Sequence, residues 1–211
     1  MKEHNYTIPL TEALESDVSC FLCRIEDELE ARALDYYMGA AVMEPSVRIE
    51  TNKKGFCRHH AEKMLEMPKK LPLMLALQTR LDTVAETLKK EKKPGKKTES
   101  TCAVCDRTSG QMEKVLENCL WLLQKEPDFL RKFLDSQGVC LHHFHALSAK
   151  MGRGDGALYE KLHEHMLEKL KTLSCDIAAF TRSFDYRFAP GETIGAVPAL
   201  AVETLTEKRG L

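Results

Sequence analysis

The sequence predicts an all-α protein made of two tandem helical repeats, each stapled by a Cys3His metal site. Three observations carry that expectation. Apolar residues recur three and four apart along several long segments, which is the period of a helix face. Leucine occurs 28 times against 14 for valine and isoleucine together, a balance that favours helix over strand. A cysteine–histidine pattern of metal-ligand type occurs twice, in register.

Taken in order, residues 22–43 place Leu22, Ile25, Leu29, Ala33, Tyr36, Ala40 and Met43 on one stripe. Pro45 is expected to open a short helix, because proline is tolerated in the first turn. Residues 71–90 repeat the stripe with Met74, Leu77, Leu81, Val84 and Leu88, read as a face turned to the core. Residues 112–123 do so with Met112, Val115, Cys119 and Leu122, where Cys119 reads as a small core residue. Pro127 opens a second short helix that turns Phe129, Leu130, Phe133 and Leu134 inward, and Gly138 is expected to end it. The run Met151-Gly152-Arg153-Gly154-Asp155-Gly156 is a flexible turn. It is not a phosphate loop, since no strand precedes it and no Gly-Lys-Ser/Thr follows. The longest stripe runs over 157–188: Leu158, Leu162, Met166, Leu170, Leu173, Ile177, Phe180 and Phe184. Residues 198–207 suit one last short helix, and the aromatic run Phe184–Phe188 is expected to pack back on the body.

The repeat reaches beyond any single motif. Cys20-x-x-Cys23 is followed after 33 residues by Cys57-x-His59-His60, and Cys102-x-x-Cys105 after 34 residues by Cys140-x-His142-His143. Glu44-Pro45 matches Glu126-Pro127, and Gly55 and Gly138 each precede their cysteine by two. Ala33, Leu34, Tyr37, Ala40 and Ala41 fall opposite Val115, Leu116, Cys119, Leu122 and Leu123. The chain therefore divides into a first repeat over 1–93, a second over 94–188, and a C-terminal tail over 189–211 packing on the body. The lysine-rich stretch 89–100 marks the join and reads as a solvated linker.

Each copy holds a full tetrahedral ligand set: Cys20, Cys23, Cys57 and His60 in the first, Cys102, Cys105, Cys140 and His143 in the second. Thiolate and imidazole suit zinc, and structural zinc sites are four-coordinate. Two zinc ions per chain are the expectation. A CxxC turn brings two sulfurs to one ion, and Cys at i with His at i+3 share a helix face, which selects His60 and His143. In a loop, His59 and His142 would compete. On a helix they are left as surface residues or as donors of a supporting hydrogen bond. Thioredoxin chemistry would need a βαβ setting, haem attachment a CxxCH, and an iron–sulfur cluster four cysteines.

The stretch from Glu44 to Cys57, together with Ile8-Pro9-Leu10, Cys20-Phe21-Leu22-Cys23 and Gly138-Val139-Cys140-Leu141-His142-His143, resembles the signature of a bacterial domain family of unknown function. The resemblance covers about residues 6–188. It implies that the cysteine pattern is a unit, and it carries over no activity and no catalytic residue.

Composition narrows the function. With 31 Lys+Arg against 32 Asp+Glu, the net charge is −1, and no general electrostatic grip on nucleic acid or acidic lipid is expected. The six lysines of 89–100 lack interleaved aromatics, so nucleic acid is not the expected partner. No apolar run approaches the roughly 20 residues of a membrane span. Met1–Tyr6 has no signal-peptide core, so the cytoplasm is the expected location, where thiols stay reduced. No nucleophile–base pair is evident, so no catalytic residue is assigned and a binding or scaffolding role, with an unidentified protein partner, is expected. Glu44 and Glu126 read as helix-start carboxylates. A redox sensor, with Arg24, Arg58 and Arg107 near the ligands, is the alternative.

Overall fold

Every regular element among the described residues is helical. The structure is a computed structural model that describes residues 7–16, 18–90, 101–184 and 195–206. Most of the lysine-rich join, the run Asp185–Phe188 and the ends of the chain lie outside the described residues, as do the expectations that fall on them. In chain order the helices are α1 (Thr7–Leu14), α2 (Phe21–Met38), α3 (Pro45–Lys54), α4 (Arg58–Glu66) and α5 (Leu71–Lys90). They are followed by α6 (Ala103–Lys125), α7 (Pro127–Asp135), α8 (Leu141–Ala149), α9 (Gly156–Arg182) and α10 (Val197–Leu205), and a 3-10 turn spans Ala40–Met43.

The chain forms two compact units. The terminal unit takes Met1–Ile25 and Glu113–Leu211, and the central unit takes Glu26–Met112. The division falls inside α2 and α6, so each of these helices gives its start to one unit and its remainder to the other.

In the terminal unit α1 lies on α7, and α9 packs on α8 and α10. Phe21 of α2 meets Phe133 of α7 edge to face at 5.9 Å, the favoured arrangement for two buried rings. Pro127 begins α7 with Glu126 at its N-cap, as Pro45 begins α3 behind Glu44. Phe129 and Phe133 are buried, and Leu130 and Leu134 are half-buried. Helix α7 ends at Asp135, three residues earlier than expected, and Gly138 instead shapes the approach to Cys140. On α9 Leu162, Met166 and Leu173 are buried, whereas Ile177 and, beyond the helix end, Phe184 are exposed, so the predicted stripe is a core face only over its first half.

In the central unit one apolar cluster joins Ala33, Leu34, Tyr37 and Met38 of α2 to Val47, Met64, Leu73 and the start of α6 at Cys102, Ala103 and Val104. The expected stripe of residues 22–43 holds from Leu22 to Ala33. It then gives way to Leu34, Tyr37 and Met38, because α2 stops at Met38 before Gly39 and leaves Ala40 and Met43 exposed.

The second stripe is reversed from the expectation. On α5 the buried residues are Leu73 and Ala76, while Met74, Leu77, Leu81, Val84 and Leu88 are exposed. The reason lies in α3, whose sequence PSVRIETNKK is polar. Helix α5 meets it through polar side chains: Arg48 Nη2 donates to Thr79 Oγ1 at 2.6 Å, Asn52 Nδ2 to Thr83 Oγ1 at 2.9 Å, and Arg80 Nη1 to the Asn52 carbonyl at 2.6 Å. Hydrogen bonding between α3 and α5 thus selects which face of α5 turns inward, against the apolar pattern.

Candidate metal centres

Four helices begin in the same way. Cys57 and Cys140 are the N-caps of α4 and α8. Cys20 and Cys102 immediately precede α2 and α6, and their carbonyls accept the first helical bonds, from Arg24 at 3.3 Å and Asp106 at 2.9 Å. The second chemically active residue of each motif, Cys23, Cys105, His60 or His143, therefore falls at the third helical position. The N-cap and third-position side chains face each other over the helix start, as in a capping box. This is the physical content of CxxC and CxxH here: each motif presents two donors at one helix N-terminus. The unsatisfied amides and the positive helix end also favour thiolate there. The Cys23 amide, for instance, donates to Cys20 Sγ at 3.4 Å.

The eight residues gather into two groups of four, each with its donor atoms within 4.8 Å of one another. The groups are Cys20, Cys23, Cys140 and His143 in the terminal unit, and Cys57, His60, Cys102 and Cys105 in the central unit. This corrects the within-repeat sets expected from the sequence: each group pairs the CxxC of one repeat with the CxxH of the other. Helix α2 begins in the terminal unit and ends in the central one, and α6 does the reverse, so each CxxH lies in the unit that its repeat's long helix has entered. At the central group the Ala103 amide donates to the Gly55 carbonyl at 3.0 Å, tying the approach to α4 directly to the start of α6.

The donor geometry fits one ion per group. In the terminal group His143 Nδ1 lies 3.5, 3.4 and 3.3 Å from the sulfurs of Cys20, Cys23 and Cys140, with 3.7 Å between Cys23 and Cys140. In the central group His60 Nδ1 lies 3.1, 3.3 and 3.4 Å from Cys57, Cys102 and Cys105, with 4.0 Å between Cys57 and Cys105. A tetrahedron with zinc-type bond lengths has edges of about 3.8 Å between sulfurs and about 3.6 Å between sulfur and nitrogen. His59 and His142 are exposed and belong to neither group of four, while His60 and His143 are buried.

Without a metal these donors share protons. His143 is raised to about 10: burial opposes the charge, but hydrogen bonds with Cys140 and Cys20 and their negative charge outweigh it. Hydrogen bonds with Cys20, Cys23 and His143 hold Cys140 well below the ordinary thiol, while hydrogen bonding to Cys140 and Cys20 pushes Cys23 up. In the central group burial pushes Cys102 up, but hydrogen bonds from His60 and from the Cys105 and Cys57 amides bring it down to about 6. Burial and the Cys102 charge push Cys105 up to about 12. A cation entering either group replaces these shared protons, so binding is coupled to proton release.

Two supporting residues escape the sequence reading. Glu30, buried in α2, accepts from His60 Nε2 at 2.8 Å and from Lys63 Nζ at 2.9 Å. A carboxylate behind a ligating histidine fixes its ring and tautomer. A charge at a buried position between Leu29 and Ala33 is the one signal that marked it. Lys169 of α9 donates to the carbonyls of Ser19 at 2.7 Å, Gln137 at 2.7 Å and Val139 at 3.1 Å. It thereby ties together the loops leading to Cys20 and Cys140 and puts a positive charge beside the terminal group. Its burial lowers its pKa, against the pull of the nearby thiolates. Nothing in the sequence links it to cysteines so far away. Of the arginines expected to play this part, Arg58 pairs with Glu62 at 2.7 Å and Arg107 stacks 4.0 Å over Tyr36.

Gly55 and Gly138 have φ of 71° and 67°, the left-handed region that disfavours side chains. A Cβ on Gly138 would also lie 2.7 Å from the His165 ring.

Fold and site together define an all-helical, duplicated protein with two exchanged Cys3His groups, each a possible metal site. The chain belongs to the family of unknown function DUF6062, whose model matches it twice, over residues 1–100 and 94–196. No match was found among curated proteins or solved structures. Repeat and compact unit are different divisions of this chain, and each four-residue group takes half of its donors from each repeat.

The exchange has a direct test in metal stoichiometry, measured by elemental mass spectrometry. The double variant Cys20→Ala/Cys140→Ala is expected to keep one metal per chain, and Cys20→Ala/Cys57→Ala to lose both. Within-repeat sites would give the reverse. Glu30→Gln is expected to weaken the central site by roughly 10- to 100-fold in a chelator competition and to leave the terminal site unchanged.

Proposed function

We propose that this protein binds two zinc ions in structural Cys3His sites and works as a helical binding or scaffolding module. The observation that carries the reading is the meeting, twice, of two helix starts that each present two soft donors. Three sulfurs and one imidazole nitrogen favour zinc over oxygen-seeking cations, and a four-cysteine iron–sulfur cluster does not match the donor set. Four protein donors complete the coordination shell and leave no position for a substrate or a reactive water, so the role assigned to the metal is structural. Structural zinc supplies on the order of 10 kcal/mol to small domains, comparable to the whole stability of a domain this size. None of the eight cysteines is in a disulfide, which suits a reducing compartment such as the cytoplasm. No helix among the described residues is long and apolar enough to cross a membrane.

Protein purified without added metal is expected to carry two zinc per chain, with six thiols protected and Cys175 reactive. A chelator should expose the six and lower the thermal midpoint sharply. Iron in place of zinc, or metal-free protein with oxidised CxxC pairs, would overturn the reading.

A second reading, thiol-based sensing, is favoured at one site. Cys57 and Cys105 of the central group are half-buried, whereas three of the four terminal donors are buried. Peroxide oxidising two thiolates to a disulfide, itself reduced to water, would release the metal they hold. The expected result is loss of the central zinc before the terminal one, resolved by applying mild peroxide to the two single-site variants. Equal loss rates would remove the sensing reading.

A further inference from the structure

The apolar stripe of α5 is not a core face, and its spacing has a specific consequence. Met74, Leu77, Leu81, Val84 and Leu88 follow one another by three, four, three and four residues. That is the a/d repeat of a coiled-coil seam, with Met74, Leu81 and Leu88 at a and Leu77 and Val84 at d. Leu81 and Leu88 are 67% and 62% exposed, and Leu71, on the seam's edge at the helix start, is exposed as well. The stripe is centred roughly 90° round the helix from Leu73 and Ala76, so it flanks the buried face and stays exposed. The contacts of Thr79, Arg80 and Thr83 with α3 hold it there.

We propose that this face is the interface of a homodimer, in which α5 of one chain lies antiparallel on α5 of a second copy. Several features select a second copy as the occupant. A seam of period 3.5 is matched by a helix of the same period, and the same helix in a twofold dimer supplies one without further sequence. The six side chains expose on the order of 600 Å² per chain, at the upper limit of what a monomer leaves uncovered and near the roughly 800 Å² per partner of a stable complex. The flanking residues on the seam's two edges, Gln78 and Ala85 on one and Arg80 and Thr87 on the other, set no row of like charges against itself. The net charge of −1 adds no general repulsion between copies.

Charge also sets the direction. Lys89 and Lys90 end α5, and Lys92, Lys93, Lys96 and Lys97 follow in the sequence. A parallel pair would bring Lys89 and Lys90 of both chains together, whereas an antiparallel pair places the two sets at opposite ends and opposes the helix dipoles. Antiparallel a-to-d layering then sets Leu77 against the partner chain's residue 81 and Met74 against its residue 84.

Sedimentation equilibrium of the full-length, metal-loaded chain tests this. A dimer is expected at tens of micromolar. Leu81→Glu is expected to raise the dissociation constant by at least about a hundredfold, with metal content and helical circular dichroism unchanged; Leu88→Glu serves if the first variant does not fold. Mixing Leu77→Lys with Leu81→Glu should restore a dimer, because these positions face each other only in the antiparallel register. A wild-type chain that is monomeric at 100 µM, or glutamate variants that remain dimeric, would overturn the proposal. Failure of the mixture to associate would overturn the antiparallel arrangement.

Discussion

The pairing of side chains across a helix start is the interaction on which the rest of this structure depends. A residue at the N-cap and a residue three positions on face each other above the first turn, and four helices here fill both places with Cys or His. Two such starts brought together make a four-donor group. At the two CxxC starts the sulfur also meets the helix amides: the Cys23 amide donates to Cys20 Sγ, and the Cys105 amide bonds to Cys102.

The exchange between repeats gives the two groups different reach. The shortest span between the two motifs of a group is 42 residues in the central group and 117 in the terminal one. Closing the longer span costs only about 1 kcal/mol more, because closure entropy grows with the logarithm of length. That is small beside the contribution of a structural metal, so sequence distance is no obstacle to the terminal group. What the long span needs is positioning. Lys169 provides it from α9 by holding the carbonyls of Ser19, Gln137 and Val139 together, while the central group relies on the Gly55–Ala103 bond and on Glu30 behind His60. The two repeats share a motif but support it differently: Met112 stands in the second repeat where Glu30 stands in the first.

Helix α5 shows polar contacts overriding an apolar pattern. Its neighbour α3 offers Arg48 and Asn52, and the matching groups on α5 are Thr79, Arg80 and Thr83. Turning the leucine stripe inward would leave those groups without their bonds against a polar helix, and an unpaired buried polar group costs about as much as burying a leucine gains. The apolar stripe is left at the surface, where regular heptad spacing suits another helix.

The helical class, the duplication and the proline-led starts of α3 and α7 were legible in the sequence, as were the eight Cys and His residues that meet in two groups of four, each a possible metal site. Each rests on local rules: periodicity, caps, and spacing over three or four residues. The preference for His60 and His143 over their neighbours was legible for the same reason, since it depends only on where a side chain points along one turn. Which motif faces which was not legible. Both the within-repeat and the exchanged arrangement complete two Cys3His sets, and the passage of α2 and α6 from one unit into the other decides between them. The inward face of α5 and the parts played by Glu30 and Lys169 were equally out of reach, because each is set by partners distant in sequence. The sequence alone determined which atoms are available for chemistry; the tertiary structure decided how they combine, since ligand type is a property of residues and convergence is a property of how far each helix carries the chain.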